Sequence, residues 1–137
     1  MGVRQDRVHT EVLLLAAVYG DVQYDDINGS WVRIPRFPLP PNWMQGDTDL
    51  LIELPSTYPF TPPKGFFTDK GLRTRSGVSI THYFEGDSYN KYSDLGWAWF
   101  CVHIKGEWRP SASLMKGDNL LKFTELISAI FANPPTC

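Results

Sequence analysis

Cysteine is scarce: two in 137 residues, at Cys101 and at the last position, Cys137. That count supports neither a disulfide framework nor a spaced-cysteine zinc site, so no metal is expected. In a reducing compartment both are free thiols, and Cys137 reads as a mobile tail residue without a catalytic role. Charge of one sign is missing as well. Thirteen basic and fifteen acidic residues leave a formal charge of -2, and the basic ones are scattered, so no nucleic-acid partner is expected. Long apolar runs are also absent. The longest near the N-terminus, Val12 to Tyr19, is too short to span a bilayer and lacks the cleavage pattern of a secretory signal. The expected location is the cytoplasm, with no membrane partner.

Proline and aromatic residues are what the chain holds in quantity. Eight Phe, six Tyr and five Trp are too much apolar surface to leave in water, so the chain folds. Eleven prolines, eight of them between Pro35 and Pro63, exclude a mostly helical fold. The length suits one domain, residues 1–137, able to bury roughly two-thirds of its extended surface without metals or disulfides.

Between residues 4 and 19, Val8, Val12, Leu15 and Tyr19 recur at helical spacing with Leu14 and Val18 beside them, and Arg4, Gln5, Arg7 and Glu11 form the polar, outward face. Asn28-Gly29 predicts a hairpin joining Val22–Asp25 to Trp31–Ile34. Pro35, Pro38, Pro40 and Pro41 predict a short extended connection, followed by a strand over Asp49–Leu54. Residues 58–64 are a rigid proline loop that feeds a strand at Gly65–Thr68. The pattern fades over 69–94, then alternates from Leu95 to Ile104, with Ala98, Phe100 and Val102 on one side and Trp97, Trp99, Cys101 and His103 on the other. Residues 118–131 form the last helix, with Asp118 as candidate N-cap and Asn133-Pro134-Pro135 as its stop.

Three features carry chemistry or recognition. The 58–64 loop, short of backbone donors and fixed in φ, is either a pre-ordered partner surface or a stiff crossover that packs Tyr58 and Phe60 inward. Trp108-Arg109-Pro110-Ser111-Ala112 is a turn anchored by a large ring. Cys101 is either a small buried hydrophobe or, since alternation sets it opposite the apolar face, an exposed thiol. His103 shares its face. Residues two apart on a straight strand stand about 6 to 7 Å apart, too far for a direct thiol–imidazole contact unless the chain bends.

Taken in order, Tyr58-Pro59-Phe60-Thr61-Pro62-Pro63-Lys64, His82, Cys101 and Trp108-Arg109-Pro110-Ser111-Ala112 resemble the ubiquitin-conjugating (E2) fold, and the likeness runs from the first helix to Pro134. In that family a proline loop of this type leads into the sheet. A histidine, usually in His-Pro-Asn, precedes the catalytic cysteine, and a tryptophan seven or eight residues past it opens a turn before a long helix. Here Cys101 and Trp108 are seven apart. The departures are that Tyr83 and Phe84 follow His82, so the Pro and the catalytic Asn are missing, and that an atypical insert at about 69–94 lengthens the approach to Cys101. The sequence also ends at Cys137, where most eukaryotic members add two helices. These traits resemble divergent bacterial E2-like groups, found in operons with an E1-like enzyme, a ubiquitin-like protein and often a JAB-type peptidase, several of them acting against phage.

The resemblance implies an α+β fold with an N-terminal helix, an antiparallel four-stranded meander, a cysteine-bearing extended segment and a C-terminal helix. It implies that Cys101 accepts the C-terminus of a ubiquitin-like protein from an E1-like enzyme as a thioester and passes it to a target nucleophile. ATP would be used by the E1-like partner, leaving this chain without a cofactor. Asn90, His82, His103 or backbone N–H groups at 101–104 are candidates for the oxyanion role of the missing Asn, and Asp87, Asp94 or Asp118 for a carboxylate near the incoming amine. Arg4, Arg7 and Glu11 would face the E1-like enzyme. Tyr58, Phe60, Pro62, Pro63, Trp108 and Pro110 would form the face that meets E3-type partners. The alternatives are a catalytically inactive E2-like interaction module and, more remotely, an unrelated Cys-His hydrolase, which needs a carboxylate behind its histidine.

Overall fold

The computed structural model describes residues 2–104, 106–114 and 116–135; Cys137 lies outside them. In chain order the elements are α1 (Val3–Tyr19), β1 (Gln23–Tyr24), β2 (Trp31–Pro38), β3 (Asp47–Glu53), β4 (Gly65–Asp69), β5 (Tyr83–Phe84), a 3-10 turn (Ser93–Leu95), β6 (Trp97–Cys101) and α2 (Leu120–Ala132). The strands form one antiparallel sheet in the order β1-β2-β3-β4-β6-β5. The expected α+β class, with a helix at each end of an antiparallel meander, holds. The expected four-stranded meander is present as β1-β2-β3-β4; beyond it the cysteine-bearing segment is itself a strand, paired along its length with β4, and β5 lies on its other edge. Two residues of strand, as in β1 and β5, are too few to leave a periodicity in the sequence.

The boundaries moved for local reasons. β2 runs through Pro35 and Pro38 instead of stopping at Ile34. It does so because β1 covers it only at Val32 and Arg33, so its later residues form a sheet edge, and its register against β3 slips between Ile34 and Phe37. Proline is tolerated at such edges and bulges. The Asn28-Gly29 turn is wider than a two-residue hairpin. Asp25 N–H donates to Trp31 O, and the Asp25 carboxylate accepts from the N–H groups of Ile27, Asn28 and Ser30. α2 is capped by Asn119, whose side chain accepts from Lys122 N–H at 3.0 Å, because the expected cap, Asp118, is engaged with Arg109.

One face of the sheet carries the core. Val32 and Ile34, Leu50 and Ile52, Phe66 and Phe100 are buried with Val8, Val12 and Leu15 of α1 and with Leu120, Phe123, Ile127 and Phe131 of α2. Phe66 and Phe100 stack at 4.9 Å, and Phe131 meets both edge-on at 5.7 Å. Trp43 packs edge-on against Phe131 and donates its indole N–H to the Phe131 carbonyl at 2.8 Å. It thereby satisfies one of the carbonyls that a helix leaves without an intrahelical donor. The opposite face of β4 and β6 presents Gly65, Phe67, Trp97, Trp99 and Cys101, as pairing of directly opposed residues requires.

Candidate functional site

Cys101 is the last residue of β6 and is partly exposed. Its strand is held from both sides, since Cys101 N–H donates to His82 O at 3.0 Å and Val102 N–H to Lys64 O at 3.0 Å. Gly65 stands directly opposite it on β4. A Cβ at Gly65 would collide with the Phe100 carbonyl oxygen and lie 2.6 Å from the Trp99 ring, so only glycine lets β6 and its indole approach so closely.

Two histidines close on the sulfur. The β5–β6 register, Tyr83 opposite Phe100, sets His82 opposite Cys101 when continued by one residue. His82 takes φ of 60°, a left-handed conformation that is uncommon outside glycine. On the other side the strand ends at Cys101, and His103 follows two residues later. His103 Nε2 comes to 3.6 Å from Cys101 Sγ. The thiol and imidazole therefore meet although their residues stand two apart along the chain. The His82 and His103 rings are edge-on at 5.6 Å, and both are exposed. Ligating atoms of His82, Cys101 and His103 all lie within 4.8 Å of one another. An imidazole at this distance can take the thiol proton or offer a hydrogen to an adjacent anion.

The other candidates fall elsewhere. Asn90 is buried, and its amide nitrogen donates to the carbonyls of Phe84 at 2.9 Å and Trp97 at 2.7 Å while its oxygen accepts from Tyr92 N–H. Both amide hydrogens are spent on holding residues 84–97 together, so Asn90 has none to give an oxyanion. The Asp118 carboxylate accepts from Arg109 N–H at 2.6 Å and closes the turn that contains Pro110. Asp87 and Asp94 are exposed, and neither belongs to the histidine–thiol cluster. Among the described residues no carboxylate bonds to His82 or His103, so the orienting group of a hydrolase triad is missing.

The expected partner faces are partly rearranged. Glu11 is buried, not outward. Its carboxylate pairs with Arg7 Nε at 2.9 Å and accepts from the Tyr58 hydroxyl at 2.6 Å and from Leu120 N–H at 2.6 Å. Burial, reinforced by the Glu11 carboxylate, pushes the Tyr58 hydroxyl far above the usual tyrosine range. Arg7 also donates to Ser111 O at 2.6 Å, and Arg4 to Pro55 O at 2.6 Å and Gly29 O at 3.0 Å. These three residues bind α1 to the rest of the fold, because a helix lying over two loops and a helix N-terminus must supply their unpaired backbone groups with partners. The exposed large apolar residues of α1 are Val3, Leu13 and Val18. In the proline loop Tyr58 and Pro63 turn inward, Pro62 is half-buried, and Phe60 is 80% exposed. Trp108 donates its indole N–H to Pro59 O at 2.7 Å, so the loop and the 108–112 turn form one surface.

An open groove of about 760 Å³ lies on the outer sheet face, lined among others by Trp31, Lys64, Phe67, Asn90, Tyr92 and Trp99. Cys101 is not part of its wall. The sequence names both histidines as candidates beside Cys101 but leaves their placement open. For His103 the shared face was visible, whereas for His82 the signal was a two-residue strand.

The sheet order, a thiol at the end of the strand beside β4, and a proline loop locked to a tryptophan turn ahead of the last helix together define an E2-like, UBC-type fold. Within that class, the model of the family described as Prokaryotic E2 family E matches residues 17–132, and the chain belongs to this family. No curated protein and no solved structure gives a significant match.

Proposed function

We propose that this protein is an E2-type transferase that carries a ubiquitin-like protein on Cys101. The observation that supports this best is the partly exposed Cys101 sulfur at 3.6 Å from His103 Nε2 on a chain of E2-like family. In the loading step the Cys101 thiolate attacks the C-terminal carbonyl of the ubiquitin-like protein held as a thioester on an E1-like enzyme. A new S–C bond forms and the E1 thiolate leaves. In the discharge step an amine of the target attacks the same carbon, a C–N bond replaces the S–C bond, the amine loses a proton, and the Cys101 thiolate departs. His103 takes the Cys101 thiol proton before loading, passes it to the departing E1 thiolate, and takes the amine proton in discharge. His82, whose ring meets that of His103 edge-on at 5.6 Å, is the side-chain donor assigned to the oxyanion of the tetrahedral intermediate, together with backbone N–H groups at 101–104. Phe60, Pro62, Trp108 and Pro110 offer the surface for a downstream protein. The setting is a cytoplasmic prokaryotic conjugation system, with antiphage defence as its role; among the described residues no helix is long and apolar enough to cross a membrane.

The test mixes the protein with its cognate E1-like enzyme, ubiquitin-like protein and ATP. A thiol-sensitive adduct forms with the native chain and is absent in Cys101→Ala. In His103→Asn, loss of general-base assistance slows discharge to an amine by about 10²-fold or more. A His103→Asn variant that loads and discharges at the native rate contradicts the assigned role. The engaged Asn90 amide favours a second reading, an E2-like module that binds without catalysis. That reading predicts binding of the ubiquitin-like protein with no adduct.

A further inference from the structure

The three groups around the thiol have a second chemistry that does not depend on acyl transfer. One thiol sulfur and two imidazole nitrogens converge from three positions of the chain, with ligating atoms within 4.8 Å of one another. The Sγ–Nε2 separation of 3.6 Å is the spacing of two ligands on one tetrahedral zinc ion, whose bonds of about 2.3 Å to sulfur and about 2.0–2.1 Å to nitrogen set such an edge at roughly 3.5 Å. The separations to be closed are at most about 1.3 Å, within the reach of side-chain rotation by two exposed rings. Neither ring is tied to another side chain among the described residues beyond the contacts within this group. The backbone is less free: Cys101 N–H bonds to His82 O, so the two ligand-bearing strands are already fixed side by side.

We propose that His82, Cys101 and His103 form a binding site for a divalent transition-metal ion, Zn²⁺ by its donor set. A thiolate with two imidazoles suits zinc and disfavours Mg²⁺ and Ca²⁺, which take oxygen ligands. Three protein ligands leave a fourth position, and the exposure of both histidines opens it to water. The ion would bind the sulfur lone pair that acyl transfer needs, so metal and thioester exclude each other at Cys101. Zinc then acts as a reversible block of the site, and binding of the ion releases the thiol proton. The site is a property of these side chains alone. It exists whether the domain conjugates or merely binds.

Cobalt(II) reports on it directly. Titrated into the reduced full-length protein at neutral pH, Co²⁺ should bind one equivalent with a thiolate-to-cobalt charge-transfer band and the intense visible absorption of a tetrahedral ion, and Zn²⁺ should displace it. Cys101→Ala abolishes the charge-transfer band, and Cys137→Ala leaves it unchanged. His82→Asn, which keeps a residue tolerant of the left-handed backbone, and His103→Asn each weaken binding by at least about tenfold. Thermal unfolding of each variant verifies that it is folded. The proposal is overturned if the native protein shows no charge-transfer band, if folded His82→Asn and His103→Asn bind Co²⁺ as tightly as the native chain, or if the band follows Cys137. No E1-like enzyme enters this titration, so its failure is separate from failure of the conjugation reading.

Discussion

Glu11 is the residue on which most of the assembly hangs. It is 1% exposed, and its carboxylate serves Arg7 of its own helix, Tyr58 of the proline loop and the backbone N–H of Leu120 at the start of α2. A buried ion pair adds little over an apolar substitute, but breaking one by removing a single partner is costly. Glu11→Ala is therefore expected to lose about 3–5 kcal/mol in urea unfolding, since it strands a guanidinium, a hydroxyl and an N–H. Tyr58→Phe leaves the carboxylate with two partners and should lose less, about 1.5–3 kcal/mol as for one hydrogen bond to a charged group. Equal losses would show that the carboxylate is not the hub. Helical spacing set Glu11 beside Arg7 on the polar side, which the sequence alone reads as an outward face; the partners that draw it inward lie 47 and 109 residues away. Gly65 is equally hidden from sequence reading. Gly65→Ala places a methyl group against the Phe100 carbonyl and the Trp99 indole, and is expected to lower stability by about 1–3 kcal/mol and to slow loading at Cys101 directly opposite. An alanine variant of native stability would show that β6 can give way there.

At the scale of elements, the 69–94 segment is built by polar anchors more than by regular structure. Glu85 pairs with Arg73 at 3.0 Å, accepts from Gly71 N–H and lies 3.2 Å from the Tyr83 hydroxyl, while Asn90 bonds the backbone on both sides of it. Partial burial opposes ionisation of Glu85, but Arg73 and the Gly71 N–H outweigh it and hold the carboxyl below the usual glutamate value. A carboxyl lowered on folding stabilises the native state above its unfolded value and loses that contribution as pH falls through the lowered one. Hydrogen exchange at Gly71 and across β5 should therefore quicken below about pH 4 relative to β3, and Glu85→Gln should remove most of that acid dependence. An unchanged acid profile in Glu85→Gln would place the sensitivity elsewhere. This segment faded in the sequence because Gly, Ser, Thr and Lys carry no period, and anchors such as Asn90 are recognisable only once their partners are in place. The long elements were legible for the opposite reason. Val8, Val12 and Leu15 in α1 and Phe123, Ile127 and Phe131 in α2 repeat at helical spacing and are buried as that spacing predicts.

Across the whole molecule, proline placement was the most legible trait. Pro59 accepts the Trp108 indole N–H, Pro63 is buried, and Phe60 between them projects into solvent, so the motif that resembled an E2 loop forms a ridge joined to the Trp108 turn. The chain order of loop, thiol, turn and helix was readable because each is a local pattern. The site was readable only in part. Cys101 was singled out and the face it shares with His103 was visible, but the end of the strand at Cys101 and the edge strand that brings His82 alongside depend on pairing between distant residues. Both the conjugation reading and the metal site rest on that one sulfur. Mass spectrometry of the protein after incubation with its E1-like enzyme, ubiquitin-like protein and ATP, followed by peptide mapping, locates the acyl group. The account predicts a thioester on Cys101, unaffected by Cys137→Ala; an acyl group on Cys137, or no adduct with an active E1-like enzyme, would contradict it.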